Sequence, residues 1–190
     1  MLIQPSDPLE QVFRSVRSEL ARGALDKKHP YRYMVMSTLG TEGIAARYVV
    51  LRKVDEDLNL YFYTDSRTGK ISQLEENNGC TLLGYHPSKK AQLRLNGRAS
   101  IHCQDELARE HWKNVQGKAQ KAYNPEIAPG KPLSHPTEAH TWPEVMTDQY
   151  FAVIVVSPFS MEVLQLDKLE HTRAQFDREG NVWNHQWIAP

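Results

Sequence analysis

From Tyr31 onward the chain changes its hydrophobic period, and that change narrows the folds open to it. Tyr31–Thr38 is dense in strand formers and ends at Leu39-Gly-Thr-Glu-Gly43, a turn with two glycines. Ile44–Arg52 reads as the second arm of a hairpin. Leu58–Tyr63 follows the Asp55–Asp57 turn as a third strand, and Cys80–His86 and Ala91–His102 read as two more around Pro87-Ser-Lys-Lys90. Tyr150–Val156, Met161–Leu166, Glu170–Phe176 and Val182–Ile188 return to strand character, the last after the Arg178-Glu-Gly-Asn181 turn. The pattern predicts a mainly β chain with peripheral helices (α+β), an antiparallel barrel or sandwich of six or more strands.

Helical spacing appears in three places. Leu9, Val12, Phe13, Val16 and Leu20 fall on one stripe, with Asp7, Pro8 and Glu10 as an expected capping box and Gly23 near the end. Ser66–Asn77 is the second predicted helix, stopped by Asn77-Asn78-Gly79, and Gln104–Lys121 is the third. Asn124–Pro143 carries Pro125, Pro129, Pro132, Pro136 and Pro143, a density that no helix or central strand tolerates. These segments predict one domain over 1–190, with an N-terminal helical extension at 1–28 and a proline-rich loop at 124–143.

Charge and cysteine content exclude several classes. Twenty-three Lys and Arg balance 23 Asp and Glu. Such a chain lacks the basic excess that non-specific attachment to nucleic acid or an anionic membrane needs. Cys80 and Cys103 make no disulfide framework and no Cys-x-x-Cys pair, so they read as buried thiols. Met1–Pro8 lacks the basic region and apolar run of a signal peptide, and no apolar stretch approaches the roughly 20 residues of a bilayer span. A cytoplasmic protein is expected, with no nucleic-acid and no membrane partner. His135 and His140 flank Glu138, but without a cysteine partner they predict no metal site. His86 and His102 lie on strands and read as satisfied polar residues, and the four tryptophans as core or interface anchors.

The chemistry concentrates between Arg47 and Gln92. Arg47-Tyr-Val-Val-Leu-Arg52 sets two arginines five apart, which strand alternation places on opposite faces unless the strand end twists. Tyr61, Tyr63 and Thr64 close the next strand. Asp65-Ser-Arg-Thr-Gly-Lys70 then brings hydroxyls, a glycine and two cations to a helix start, a pattern suited to a phosphate.

Four blocks in order resemble the pyridoxamine-5′-phosphate-oxidase-like FMN-binding proteins. Arg47–Arg52 is similar to the family's Arg-x-Val-Leu-Leu-Lys strand, and Tyr61–Lys70 to its Phe-Tyr-Thr-Asn and Ser-Arg/Lys segment. Ala91-Gln-Leu-Arg-Leu-Asn-Gly97 resembles its Arg-Gln-Val-x-Val-x-Gly strand. His171-Thr-Arg173 through Trp183–Pro190 resembles its His-Asp-Arg and Trp-x-x-x-Arg-Leu-x-Pro ending. The resemblance implies a split β-barrel that binds FMN between two copies of the chain. On it, Arg47 and Arg52 meet the flavin or its phosphate, Val49, Val50 and Leu51 line its edge, and Tyr63 belongs to the same site. Thr64, Arg67, Thr68 and Lys70 hold the phosphate, while Gln92 and Arg173 reach the cofactor from other parts of the dimer. His171 is the candidate acid/base or substrate contact.

The departures from the family fall where the oxidase handles its substrate. Arg52 stands at the position of the family's phosphate-binding lysine, and Glu110–Lys118 offers no Tyr…Arg…Ser arrangement. Leu169 replaces an arginine, Leu164 the flavin-side tryptophan and Trp187 the near-terminal arginine. Each lost charge-assisted contact to a phosphate costs about 1.5–3 kcal/mol. With these losses, the resemblance implies a flavin-dependent oxidoreductase acting by hydride transfer on an unidentified small molecule. Pyridoxamine/pyridoxine 5′-phosphate oxidase and a non-catalytic flavin-binding protein are the alternatives.

Overall fold

The structure, a computed structural model, describes residues 1–190. β1 (Tyr33–Gly40), β2 (Gly43–Val54), β3 (Leu60–Asp65), β4 (Gly79–His86), β5 (Ala91–Cys103), β6 (Phe151–Gln165), β7 (Thr172–Glu179) and β8 (Val182–Ile188) form one antiparallel sheet in the order β3-β2-β1-β4-β5-β6-β7-β8. Pairing of β3 with β6 from Leu60↔Val156 to Asp65↔Phe151 closes the first six strands into a barrel. Closure leaves no open edge between those strands, and β7 and β8 extend beyond it.

Inward positions alternate along the strands, with Met34 and Met36, Leu51, Phe62, Leu82, Leu93 and Leu95 all sealed from solvent. Each such side chain contributes about 1.5–3 kcal/mol by burial. α1 (Leu9–Leu25) lays Val12, Phe13, Val16 and Leu20 onto this core, and the Phe13 ring meets Phe176 at 5.3 Å and Trp183 at 5.4 Å. The expected capping box is absent. Pro8 is the N-cap, and the Asp7 carboxylate instead accepts the Gln4 N–H at 2.8 Å.

Three boundaries differ from expectation for local reasons. Tyr31 and Arg32 belong to a 3-10 turn, Pro30–Arg32, and not to β1, because the His29 ring accepts the Tyr31 N–H and starts that turn. The helix expected over Gln104–Lys121 divides into α3 (Glu106–Trp112) and a 3-10 segment, Gly117–Tyr123, which opens on Gly117 at φ +57°. Tyr150–Val156 and Met161–Leu166 are one strand, β6, carried through Pro158 by a bulge opposite Asn96 and Gly97. α3 and the 3-10 segment cover the outer face of β3 and β6, where Tyr61, Val115, Tyr123, Phe151, Val153 and Val155 form a second apolar cluster. The proline-rich loop runs over the surface with one 3-10 turn, Pro136–Ala139, capped by His135 and Glu138. No helix is long and apolar enough to cross a membrane.

Candidate functional site

β3 ends at Asp65 and α2 (Gly69–Glu76) begins four residues later, so Thr64, Thr68 and Lys70 converge at the junction. Lys70 Nζ donates to Thr64 Oγ1 at 2.9 Å and to Thr68 Oγ1 at 3.1 Å, and Thr68 Oγ1 donates onward to the Asp65 carbonyl at 2.8 Å. Neither acceptor carries charge, so the ammonium is held in place without being neutralised. Burial pulls the Lys70 pKa down, and the nearby Arg47 charge adds to the shift while Asp65 opposes it. A cation destabilised in this way gains from an incoming anion.

Arg47, in the middle of β2, enters the same region. Its guanidinium donates to Thr38 Oγ1 on β1 and to Gln73 Oε1 on α2 at 2.8 Å, and burial lowers its pKa. Thr38 Oγ1 donates to the same Gln73 oxygen at 2.6 Å. Again there is no carboxylate. Arg67 differs, since Nε and Nη2 bind the two Asp65 oxygens at 3.0 and 2.7 Å, and Nη2 also reaches the Pro125 carbonyl. Its guanidinium lies 3.7 Å from the centroid of the Tyr150 ring. Three cations and one carboxylate leave two positive charges, which fit a phosphate dianion lying over two hydroxyls.

Strand alternation separates the two arginines of β2, as the sequence predicts. Arg47 faces the cradle, whereas Arg52 lies at a bulge between Leu51 and Lys53, over the Tyr63 ring at 5.4 Å and 3.4 Å from Tyr123 Oη. Tyr63 Oη pairs with His111 Nδ1 at 2.8 Å. Val49 and Leu51 turn their side chains into the barrel core, leaving their backbone groups for a ligand, while Val50 faces outward opposite Tyr33.

Gln92 and Arg173 flank Leu164 in register across β5, β6 and β7 and make no hydrogen bond with the cradle. Arg173 pairs with Glu162, which also binds Arg94. His171 is exposed beside a groove of about 310 Å³ that Arg173 and Trp187 also line, and its Nδ1 accepts the Asp167 N–H.

Sequence reasoning missed one cluster. Glu19 on α1, His29 and His86 are buried together, with Glu19 Oε2 at 3.2 Å from His29 Nε2 and 3.7 Å from His86 Nε2. Lys89 and Arg22 bind the other oxygen. The Nδ1 atoms of both rings accept backbone N–H groups, from Tyr31 and Lys89, so each neutral ring carries its proton on Nε2, toward Glu19. That protonation and the two cations favour an ion-pair knot over a metal centre. It ties α1 to the β4–β5 turn. The sequence signal was weak, one glutamate on an otherwise apolar helix stripe.

Comparison with known proteins agrees with this geometry. Residues 10–103, from α1 to the end of β5, match the family model described as pyridoxamine 5′-phosphate oxidase, FMN-binding domain. Pyridoxine/pyridoxamine 5′-phosphate oxidase of Legionella pneumophila (strain Lens) is 26% identical over 175 residues, covering 87% of this chain and 81% of that protein. Among solved structures, a pyridoxamine 5′-phosphate oxidase-related FMN-binding protein from Nostoc punctiforme PCC 73102 superposes with a TM-score of 0.78 at 21% identity, over 100% of both chains. PhzG from Burkholderia lata 383, solved with tetrahydrophenazine-1-carboxylic acid, gives 0.74 at 17% identity, over 99% of this chain and 98% of that one. These structures establish the shared fold. FMN ends in a phosphate, the group that the Arg47–Lys70 cradle suits. The family match over the cradle-bearing half and the common barrel over the whole length lead to one assignment: this chain belongs to the pyridoxamine 5′-phosphate oxidase-like family of FMN-binding split barrels.

Proposed function

We propose that the protein is a flavin-dependent oxidoreductase that moves a hydride between FMN and a small molecule, with the cofactor at the interface of a homodimer. The observation that carries the reading is the Arg47–Lys70 pair, two half-buried cations held by neutral oxygens and left without a carboxylate. Bound FMN supplies two-electron redox chemistry at its ring, while the chain orients the ring and tunes its potential. Thr64, Thr68, Lys70 and Arg47 anchor the phosphate, with Arg67 as a wall beside them. Val49, Val50 and Leu51 border the flavin, Arg52 and Tyr63 face its outer side, and Gln92, Arg173 and His171 approach from the second copy.

An exposed apolar face supports the dimer. Tyr33 is 56% exposed, Tyr48 75% and Tyr85 49%, and these line a groove of about 490 Å³ with Val35 and Leu83 on neighbouring strands β1, β2 and β4. Aromatic side chains gathered in this way favour a protein partner over water.

The test begins with an absorbance scan of the purified protein, which should show bound flavin. Anaerobic mixing with NAD(P)H should then bleach the flavin, and a second substrate should restore it. Bleaching by pyridoxamine 5′-phosphate instead would favour the oxidase reading. A protein that stays colourless with added FMN would refute the proposal.

A further inference from the structure

At the end of β5 three side chains form a continuous chain of hydrogen bonds. Ser100 Oγ lies 3.1 Å from His102 Nε2, and His102 Nδ1 lies 2.8 Å from Asp105 Oδ2. The other Asp105 oxygen accepts the Ala108 N–H at 2.8 Å, which caps α3 and fixes the carboxylate. Burial pushes the Asp105 carboxyl up, but the Ala108 N–H, His102 and Arg109 outweigh it and keep it ionised. A carboxylate only accepts, so the neutral ring carries its proton on Nδ1 and turns the Nε2 lone pair to the serine hydroxyl. Gln104 joins strand and cap at φ +58°, a left-handed conformation unfavourable for a side chain, and this turn brings Asp105 back onto His102. Nucleophile, base and orienting carboxylate thus stand in the order and at the spacing that acyl transfer requires.

Strand alternation places Arg98, Ser100 and His102 on one face of β5, where Ser100 is exposed. Arg98 is in register with Ser157 and Ser100 with Val155, so the relay adjoins a groove of about 360 Å³ lined by Arg98, Ser157, Phe159 and Arg178. The groove offers an aromatic ring and two guanidiniums and no acidic side chain. On its β4 side, β5 is paired as far as Ala99, whose N–H donates to the Asn78 carbonyl at 2.8 Å, and the Ile101 N–H lies beyond that point. We propose that Ser100, His102 and Asp105 give the protein a second activity, hydrolysis of a small aryl ester with an anionic end. Ser100 Oγ attacks the ester carbonyl carbon as its proton passes to His102 Nε2. The bond to the aryl oxygen breaks, and that oxygen leaves with the proton from His102. Water, deprotonated by His102, then attacks the acyl-serine, the carboxylic acid departs and the Ser100 hydroxyl is restored. Asp105 is a positioning residue, acting through the ring. The Ile101 N–H and Arg98 are the donors available to the carbonyl oxygen as charge builds on it, while Phe159 and Arg178 face the rest of the substrate. No flavin takes part, so this activity stands apart from the FMN site.

Hydrolysis of 4-acetoxybenzoate by the purified full chain, with phenyl acetate as the neutral comparison, tests the assignment. Ser100→Ala should lose at least tenfold in rate on 4-acetoxybenzoate. The wild type should favour that ester over phenyl acetate at least tenfold in kcat/KM, and Arg178→Gln should abolish the preference. A fluorophosphonate probe should label Ser100, located by mass spectrometry, and His102→Gln should reduce the labelling at least tenfold. Asp105→Asn keeps the helix cap, so melting temperature and KM should hold while kcat falls at least tenfold. Three results would overturn the relay: Ser100→Ala hydrolysing the ester as wild type does, Ser100 staying unlabelled, or Asp105→Asn lowering stability with kcat unchanged. Equal kcat/KM for the two esters would overturn the substrate class.

Discussion

Thr64 Oγ1 accepts a hydrogen bond from Lys70 Nζ at 2.9 Å across the junction of β3 and α2. The threonine is 8% exposed and fixed by the barrel wall, so it aims a flexible side chain that would otherwise wander. Thr64→Val keeps the charge and loses the aim. One neutral hydrogen bond contributes about 0.5–1.5 kcal/mol, so FMN affinity should fall by roughly two- to tenfold. Fluorescence titration checks this, and an unchanged affinity would contradict it.

Arg67 stands in the same stretch but is occupied by Asp65 and Pro125. Arg67→Ala should therefore reduce FMN affinity less than Lys70→Ala does while lowering the unfolding midpoint. It leaves Asp65, 3% exposed, without its partner. Parallel titration and thermal denaturation of the two variants would separate the roles.

At Gly97 the bulge of β6 presses against β5. A Cβ there would lie 2.7 Å from Val156 Cγ1 and 2.9 Å from the Ser157 carbonyl oxygen. Backbone cannot yield cheaply, so Gly97→Ala should cost about 1–3 kcal/mol, read by chemical denaturation.

The Glu19 knot makes stability depend on pH. Burial pushes the Glu19 carboxyl up, but Lys89, His29 and Arg22 outweigh it and hold the group below its ordinary 4.5. Its contribution is present above that value and is lost as pH falls through the lower folded value. His86 is drawn below its ordinary 6.5, mainly by burial, so it too weakens the fold once pH drops beneath 6.5. Melting temperature should decline in two stages on acidification. Glu19→Gln should cost about 1.5–3 kcal/mol at neutral pH and make the stage below 4.5 shallower, leaving the share of Asp55, Asp105 and Glu162, which are also held low. Identical pH profiles for variant and wild type would contradict this.

Much of this was legible in the sequence where the informative residues are neighbours. Thr64, Thr68 and Lys70 lie within one strand–turn–helix unit, and the separation of Arg47 from Arg52 follows from strand alternation. Thr38 and Gln73 escaped notice because they are 35 residues apart and meet only when β1 packs beside α2. Gln73 does carry a hint, standing three residues after Lys70 on the same helix face. Arg32 was hidden for another reason. Strand-forming neighbours pulled it into an expected strand, whereas the turn capped by His29 holds its guanidinium against the Ala24 carbonyl. The capping box at Asp7 failed because a nearer backbone N–H, that of Gln4, competed for the carboxylate.

The most direct test of the cradle compares FMN with riboflavin, which differs only in lacking the phosphate. Titrated by flavin fluorescence, the wild type should bind FMN at least a hundredfold more tightly than riboflavin, a difference of about 2.7 kcal/mol. Lys70→Ala should lose at least tenfold in FMN affinity and leave riboflavin binding unaltered. Equal affinity for the two flavins, or an FMN affinity untouched by Lys70→Ala, would contradict the account.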